Sequence, residues 1–418
     1  MRADSRAYIF VGQAIMSGVL VAFYLLSINA WSDHPEKSDF TKFYASTRFL
    51  LEGGDIYSPV PIDAFSASPD ASRRREDTPH QNLNPPFQTL LLAPLGLLGY
   101  RAAFWMWSTL ALLSGIAGAT LIGRTIQKER EGTRWLSGFL ILLLAYFPTW
   151  LSILCGQFSL LLLLLLAVAW AASRSGKDQM AGIALGLAMS LKVFVGLFLL
   201  FFLVRRRWRL LCWFIGTFLA CGLVALAALG MDSYQQYQTV LSSVTWYAAS
   251  WNASFMGFFT RIFGGSENTP LINTPGLAYA LAYGSSLWVT LCLIWLAWPR
   301  PDTSSPERFD LGVSMTLVAM LLISPLGWMY YFPLLFLPAV VAWRVSDMFV
   351  SASRYKATIV LAWLLSTIPS IYIPAPELNR PIDWFTWVGA YCYALLIFSV
   401  ILVVLSYRLN TTDEKTVS

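Results

Sequence analysis

The chain has 418 residues, 57% hydrophobic and only 12% charged, with 29 Lys and Arg against 23 Asp and Glu for a net charge of +6. A soluble domain carries roughly a quarter charged residues, so the composition excludes one, and in a membrane protein excess Lys and Arg report topology before they report nucleic acid. No GxxxxGKS/T loop is present to hold a nucleotide, the two histidines His34 and His80 have no metal-ligand spacing, and the five cysteines sit in apolar stretches as small core residues.

Arg2 and Arg6 precede an apolar run over about residues 8–28. It is longer than the roughly 7–15 apolar residues of a signal peptide, so it is predicted as a first span with a cytoplasmic N-terminus. The loop 31–100 then lies outside, and a second span over 100–123 returns to the basic stretch RTIQKEREGTR. If residues 84–99 also crossed, that basic stretch would land outside. The segment is short and carries Pro85, Pro86 and Pro94, so it is predicted as a helix lying in the outer interface.

Residues 135–173 hold two spans meeting at LCGQFS. Residues 180–209 could form one span, yet they carry positive charge at both ends. A re-entrant hairpin of two half-helices keeps both ends inside and leaves Lys192 near its tip. A span at 210–230, an outside loop over 231–275 and spans near 276–298, 310–324, 330–344, 357–373 and 385–407 complete an all-α polytopic protein of ten full crossings, with both termini cytoplasmic. Residues 1–418 form a single transmembrane domain on this scheme.

The large polar segments are the two outside loops, 31–100 and 231–275, whereas a pure carrier keeps its polar residues near the midplane. In the first, Ser38 is placed to cap a helix on which Phe40, Phe43, Tyr44, Thr47 and Leu51 recur at helical spacing, ended by Gly53 and Gly54. Asp39 falls in its first turn. A carboxylate there either complements the helix dipole, worth about 0.3–1 kcal/mol, or accepts a proton from a hydroxyl at the lipid boundary.

SDFTKFYASTRFLLEGGDIYSP, residues 38–59, resembles the first external loop of glycosyltransferase family 87, with its Asp-Phe pair, aromatic helix and Gly-Gly-Asp-x-Tyr turn. NPPFQTLLLAPLGLL, CGQFSLLLLLLL, LKVFVGLFLLFFLVRRRWR, WNASFMGFFTR and SPLGWMYYFPLLFLP are similar, in order, to the family's later motifs. Ser159 stands where the family has Asn, and Trp328 is followed by Met329, Tyr330 and Tyr331 where a His is usual.

The resemblance implies a GT-C architecture that transfers one sugar, commonly mannose, from a polyprenyl-phosphate donor to a glycolipid or glycan acceptor on the outer face of a bacterial plasma membrane. It places the general base on Asp39. The departing phosphate needs cations, for which Lys192 and Arg261 are candidates; Lys192 is otherwise a snorkelling or carboxylate-paired lysine, and Arg261 a solvated loop residue. Asn252, Gln157, Tyr44, His80, Trp328 and Tyr331 are candidates for sugar or acceptor contacts. Asn252 and Gln157 can equally satisfy loop backbone. No metal or other cofactor is expected, and membrane lipids are the surrounding partner. A glycolipid flippase and a ligase using a diphosphate carrier are the alternatives.

Overall fold

The computed structural model describes residues 2–60, 65, 81–127, 135–299, 305–369 and 380–417. His80 and the basic run Arg73, Arg74 and Arg75 lie outside the described residues. The chain packs as two units, one of Met1–Ala171, Met180–Val193 and Trp213–Val244, the other of Ala172–Gln179, Phe194–Cys212 and Thr245–Ser418.

The helices of the first unit begin with α1 (Arg2–Trp31), α2 (Phe40–Leu51), α3 (Pro86–Leu92) and α4 (Tyr100–Gln127). They continue with α5 (Trp135–Leu144), α6 (Phe147–Leu154), α7 (Ser159–Arg174) and α8 (Asp178–Leu191). The interfacial segment predicted over 84–99 is α3 followed by a 3-10 turn, Ala93–Leu97, broken at Pro94. Where a straight span was expected after residue 135, α5 and α6 meet at a 63° bend. Pro148 explains the bend: it has no N–H for the carbonyl of Leu144, four residues earlier. That buried carbonyl takes the Tyr24 hydroxyl of α1 instead, at 2.9 Å.

In the second unit, α8 begins beside the far end of α9 (Leu197–Val204): Arg207 forms an ion pair with Asp178 and also reaches the Ser173 carbonyl at 3.5 Å. The segment 178–207 therefore leaves and returns to one basic end, as the charge pattern predicted. Close by in sequence, Arg174 pairs with Asp310 at 3.3 Å, both nearly buried. The unit continues with α11 (Phe255–Phe263), α12 (Pro275–Ala297), α13 (Pro306–Ile323), α14 (Phe336–Ser346), α15 (Ala352–Ser366), α16 (Pro381–Val388) and α17 (Ala390–Val417). Helix α10 (Trp208–Ser242) joins the two sets, and α13 is buried along most of its length.

By length and composition six helices among the described residues can cross a membrane, seven if the bent α5–α6 pair counts as one. The count of ten predicted crossings is not confirmed: the other three fall on α7, α13 and α15, of 16, 18 and 15 residues, short of the ~20 that span a bilayer core at 1.5 Å per residue. The outside loop predicted from residue 231 begins with a helical stretch that follows the non-helical Gly230 and runs to Ser242. Cys212 is exposed, unlike the core cysteine expected there. Outward apolar side chains such as Ile15, Leu26, Leu223, Leu287 and Trp288 form the surface that lipid would cover.

Tyr24→Phe keeps the ring and leaves the Leu144 carbonyl buried without its donor. The expected loss is about 1–3 kcal/mol, read as a lower melting midpoint of the detergent-purified protein. An unchanged midpoint would show the carbonyl satisfied otherwise.

Candidate active site

Asp39 stands at the N-cap of α2 in helical backbone conformation, and its carboxylate caps nothing. That role falls to Ser38, whose Oγ accepts from Phe40 N at 3.2 Å and donates to Leu154 O at 2.8 Å. Its Oδ1 lies 2.7 Å from Lys42 Nζ one turn along, and its Oδ2 accepts from Gln157 Nε2 at 2.6 Å. About a quarter of the Asp39 side chain (24%) is exposed, enough for a small group to reach the carboxylate.

Gln157 is held rigidly. Gly156 has φ +63, and a Cβ there would lie 2.5 Å from Phe40 Cβ, so only glycine lets this turn close on α2. Trp107 Nε1 donates to Gly156 O at 2.7 Å, and Gln157 N to Ser152 O at 2.8 Å. The Gln157 Oε1 is buried and has no hydrogen-bond partner among the described residues.

Lys192 occupies the break between α8 and α9 and donates from Nζ to Asn84 Oδ1. Asn84 is fixed in turn: its Nδ2 and N both donate to Asn82 Oδ1, at 2.9 and 3.1 Å, while Asn82 Nδ2 donates to Thr89 Oγ1 at 3.1 Å. Tyr57 donates to Asn84 O at 2.7 Å. Burial pushes the Tyr57 phenol well up, with Tyr237, Tyr234 and Asp55 adding to the effect, so it remains a neutral donor. Lys192 feels the charges of both Lys42 and Asp39. One unit thereby gathers Asp39, Gln157 and Lys192 from distant stretches. Lys42, Asn82 and Asn84 were missed as site residues. Lys42 carried a signal, one helical turn from Asp39, but Asn-Leu-Asn before two prolines is indistinguishable from an ordinary turn.

The remaining candidates are held differently. Tyr44 donates to Leu98 O at 2.7 Å with its ring against Tyr100 and Phe65, and burial raises its phenol while Arg48 lowers it. In the second unit Asn252 Nδ2 donates to Tyr247 O and Pro325 O, at 2.9 and 2.8 Å, and its Oδ1 accepts from Ser254 N at 3.1 Å. Ala253 N donates to Gly327 O and Met329 N to Trp251 O, clamping the Ser-Pro-Leu-Gly-Trp stretch to the Asn-Ala-Ser loop. Asn252 therefore serves the loop backbone, the alternative to a sugar contact.

Arg261, expected in solvent, is fully buried. Its Nη1 donates to Ala249 O and Asn252 O at 2.8 and 3.0 Å, and Nε to Val388 O at 3.4 Å. Burial pulls its guanidinium down to about 10, so it stays charged at neutral pH. These bonds make it a fastener of the loop, while its Nη2 is buried with no hydrogen-bond partner among the described residues. Trp328 Nε1 is buried without a hydrogen-bond partner among the described residues, and Tyr331 packs edge-on against Phe194 with ring centroids 4.9 Å apart.

Asn252→Ala removes three bonds to buried main chain. It is expected to cost about 2–4 kcal/mol, seen as lost yield of folded protein or a lowered melting midpoint; a wild-type midpoint would return Asn252 to the list of ligand contacts.

The chain is 22% identical over 396 residues to the polyprenol-phosphate-mannose-dependent alpha-(1-2)-phosphatidylinositol pentamannoside mannosyltransferase of Mycolicibacterium smegmatis, spanning 90% of this chain and 87% of that protein. It is 24% identical over 332 residues to the alpha-(1->3)-arabinofuranosyltransferase of Corynebacterium glutamicum, covering 75% and 69% respectively. ArnT from Cupriavidus metallidurans bound to undecaprenyl phosphate is a loose structural likeness: TM-score 0.37 and 15% identity, over 93% of this chain and 77% of that one. The family model for glycosyltransferase family 87 matches residues 82–325, more than half of the length. This chain belongs to glycosyltransferase family 87 and is a membrane glycosyltransferase of GT-C type.

Proposed function

We propose that this enzyme transfers a single sugar, with mannose the first expectation, from a polyprenyl-phosphate donor to a glycolipid or glycan acceptor at the extracytoplasmic face. Asp39 is the general base and Lys192 a cation for the departing phosphate. The observation that carries this is the partly exposed Asp39 carboxylate, aimed by Gln157 and within the field of two lysines. The M. smegmatis relative takes its name from a polyprenol-phosphate-mannose donor, which supports the donor class.

The chemistry asks for this arrangement. Sugar transfer passes through an oxocarbenium-like transition state while negative charge grows on the leaving phosphate. A base on the acceptor side and cations on the phosphate side stabilise both changes. Other carboxylates nearby are engaged elsewhere: Asp55 Oδ1 accepts from Tyr57 N at 2.8 Å, and Asp33 pairs with Arg101 at 3.3 Å.

The hairpin supports the outer face as the site of reaction. Helix α8 has 14 residues, about 21 Å at 1.5 Å per residue. It starts beside Arg207, Arg174 and Lys177, charges that favour the cytoplasm. Lys192 at its other end then sits most of the way through a hydrocarbon core of about 30 Å, toward the outer leaflet.

Asp39→Asn tests the base. Release of polyprenyl phosphate from polyprenyl-phosphate mannose, with total membrane lipid as acceptor source, should fall by roughly 10²- to 10⁴-fold while undecaprenyl phosphate still binds. Retained turnover would remove Asp39 from the chemistry, and movement of the intact donor across the bilayer without sugar transfer would favour a flippase. The orientation has its own check. With Cys212 replaced by Ser, a cysteine placed by Arg206→Cys should react with a membrane-impermeant maleimide from the cytoplasmic side alone; labelling from outside would invert the topology.

A further inference from the structure

We propose that the second unit holds an anionic phospholipid headgroup at the basic end of α9, with the Arg205 guanidinium as the donor to the lipid phosphate. The site contains none of the residues assigned to the sugar chemistry, and its test does not depend on Asp39.

An indentation of about 290 Å³, its open mouth included, is lined by Arg205, Arg308, Ser406, Asn410, Trp295 and Trp298. Ser406 and Asn410 stand one turn apart on α17, and the tryptophans close the end of α12. Its depth follows from two of the spans. The apolar length of α12 stops at Ala297 and that of α17 at Asn410, so the groups around them lie where hydrocarbon gives way to lipid headgroups, the level at which Trp collects.

Three other arginines of this unit each face a carboxylate: Arg174 pairs with Asp310 at 3.3 Å, Arg344 with Glu307 at 3.7 Å, and Arg207 with Asp178. Arg205 is held otherwise. Its guanidinium carbon lies 5.7 Å from the centre of the Phe201 ring and 5.2 Å from that of Phe309, and among the described residues its side chain makes no hydrogen bond and no ion pair. Ring faces attract the cation but accept nothing from its five N–H donors. Burial lowers the guanidinium from its ordinary value and Arg207 adds to the effect; an anion beside it would act in the opposite sense. A phosphodiester, with one negative charge, takes two of the donors at once. Arg308 adds a second guanidinium to the lining, and basic pockets between membrane helices are places where anionic headgroups lodge.

Two features favour a lipid over free phosphate. Trp288, Leu291, Trp295 and Trp298 recur at helical spacing on α12 and are all exposed. They form an apolar stripe leading from the indentation along the span, on which an acyl chain can lie. Inorganic phosphate would leave that stripe unused. The second feature is Asn410, whose Oδ1 is buried with no hydrogen-bond partner among the described residues. It is an acceptor beside a site of donors. A headgroup with a hydroxyl next to its phosphate, as in phosphatidylglycerol, supplies a partner to both Arg205 and Asn410.

The test titrates the full-length, delipidated protein in neutral detergent with phosphatidylglycerol, phosphatidylcholine or inorganic phosphate, and reads the first bound lipid by native mass spectrometry. Phosphatidylglycerol should bind in preference to phosphatidylcholine. Its affinity should fall about tenfold in Arg205→Gln, the scale of one charge-assisted bond, and return only in part in Arg205→Lys, which lacks the fork. Arg206→Gln removes an equal charge from the exposed neighbour and should leave the affinity as it was. Equal binding of the two lipids, an Arg205→Gln affinity like wild type, or an equal loss in Arg206→Gln would overturn the site. Displacement of the lipid by an equal concentration of inorganic phosphate would make it a site for the free anion and overturn the lipid assignment. A melting midpoint reports whether each variant folds. If Arg205→Gln does not, Asn410→Leu decides: it leaves the cation on its rings, and a weakened phosphatidylglycerol affinity upholds the site whereas an unchanged one overturns it.

Discussion

A lysine carried to the tip of a membrane hairpin is the constraint around which the first unit is arranged. On insertion scales a charge at the bilayer centre costs about 2.5–3.5 kcal/mol, so Lys192 requires company. Asn84 Oδ1 supplies a fixed acceptor, and Asn84 is itself set by Asn82 and by the Tyr57 hydroxyl. Asp39 adds the opposite charge. The polar loop between α1 and α4 is thus the partner that lets an apolar hairpin end in an ammonium. The carboxylate in that lysine's field belongs to a side chain that is 24% exposed.

Buried cations in this protein come in two kinds, and their acceptors tell them apart. Arg261 is held by main-chain carbonyls of Ala249, Asn252 and Val388, dipoles that cannot move without unfolding the loop. Lys42 is held by a side-chain carboxylate, and Lys192 by a side-chain amide with that carboxylate in its field. Breaking the first set leaves buried carbonyls unpaired, at about 1–3 kcal/mol each. The same distinction separates Asn252, fully engaged with loop backbone, from Gln157, which faces a carboxylate.

The hairpin was legible because membrane topology is written in charge: basic residues on both sides of one apolar run admit few solutions, and the Arg207 to Asp178 pair realises the one in which the ends meet. The breaks in the spans were less so, since hydropathy averages over a window while Pro148 acts through one missing N–H, and the compensating hydroxyl comes from Tyr24, 124 positions away. The burial of Arg261 and Asn252 was hidden for a related reason. A polar stretch between apolar runs suggests solvent, yet this loop folds inward and turns its polar groups onto its own backbone. Lys42 was visible in sequence but carried no motif, and only its distance to Oδ1 distinguishes it from a surface charge.

The identity of the group on Oδ2 completes the account of the base. A second cation in place of Gln157 would aim the carboxylate equally well, but it would stabilise the ionised form and weaken the base. A neutral amide aims it with a smaller effect on proton affinity. Gln157 is also the less movable of the two holders, tied through Gly156 to Trp107 and through its own N–H to Ser152. A base held by two permanent cations would be well ordered and too weak; one held by neither would be strong and poorly aimed. Gln157 and Lys42 hold the two oxygens of one carboxylate, the first as a neutral donor and the second as a charged one.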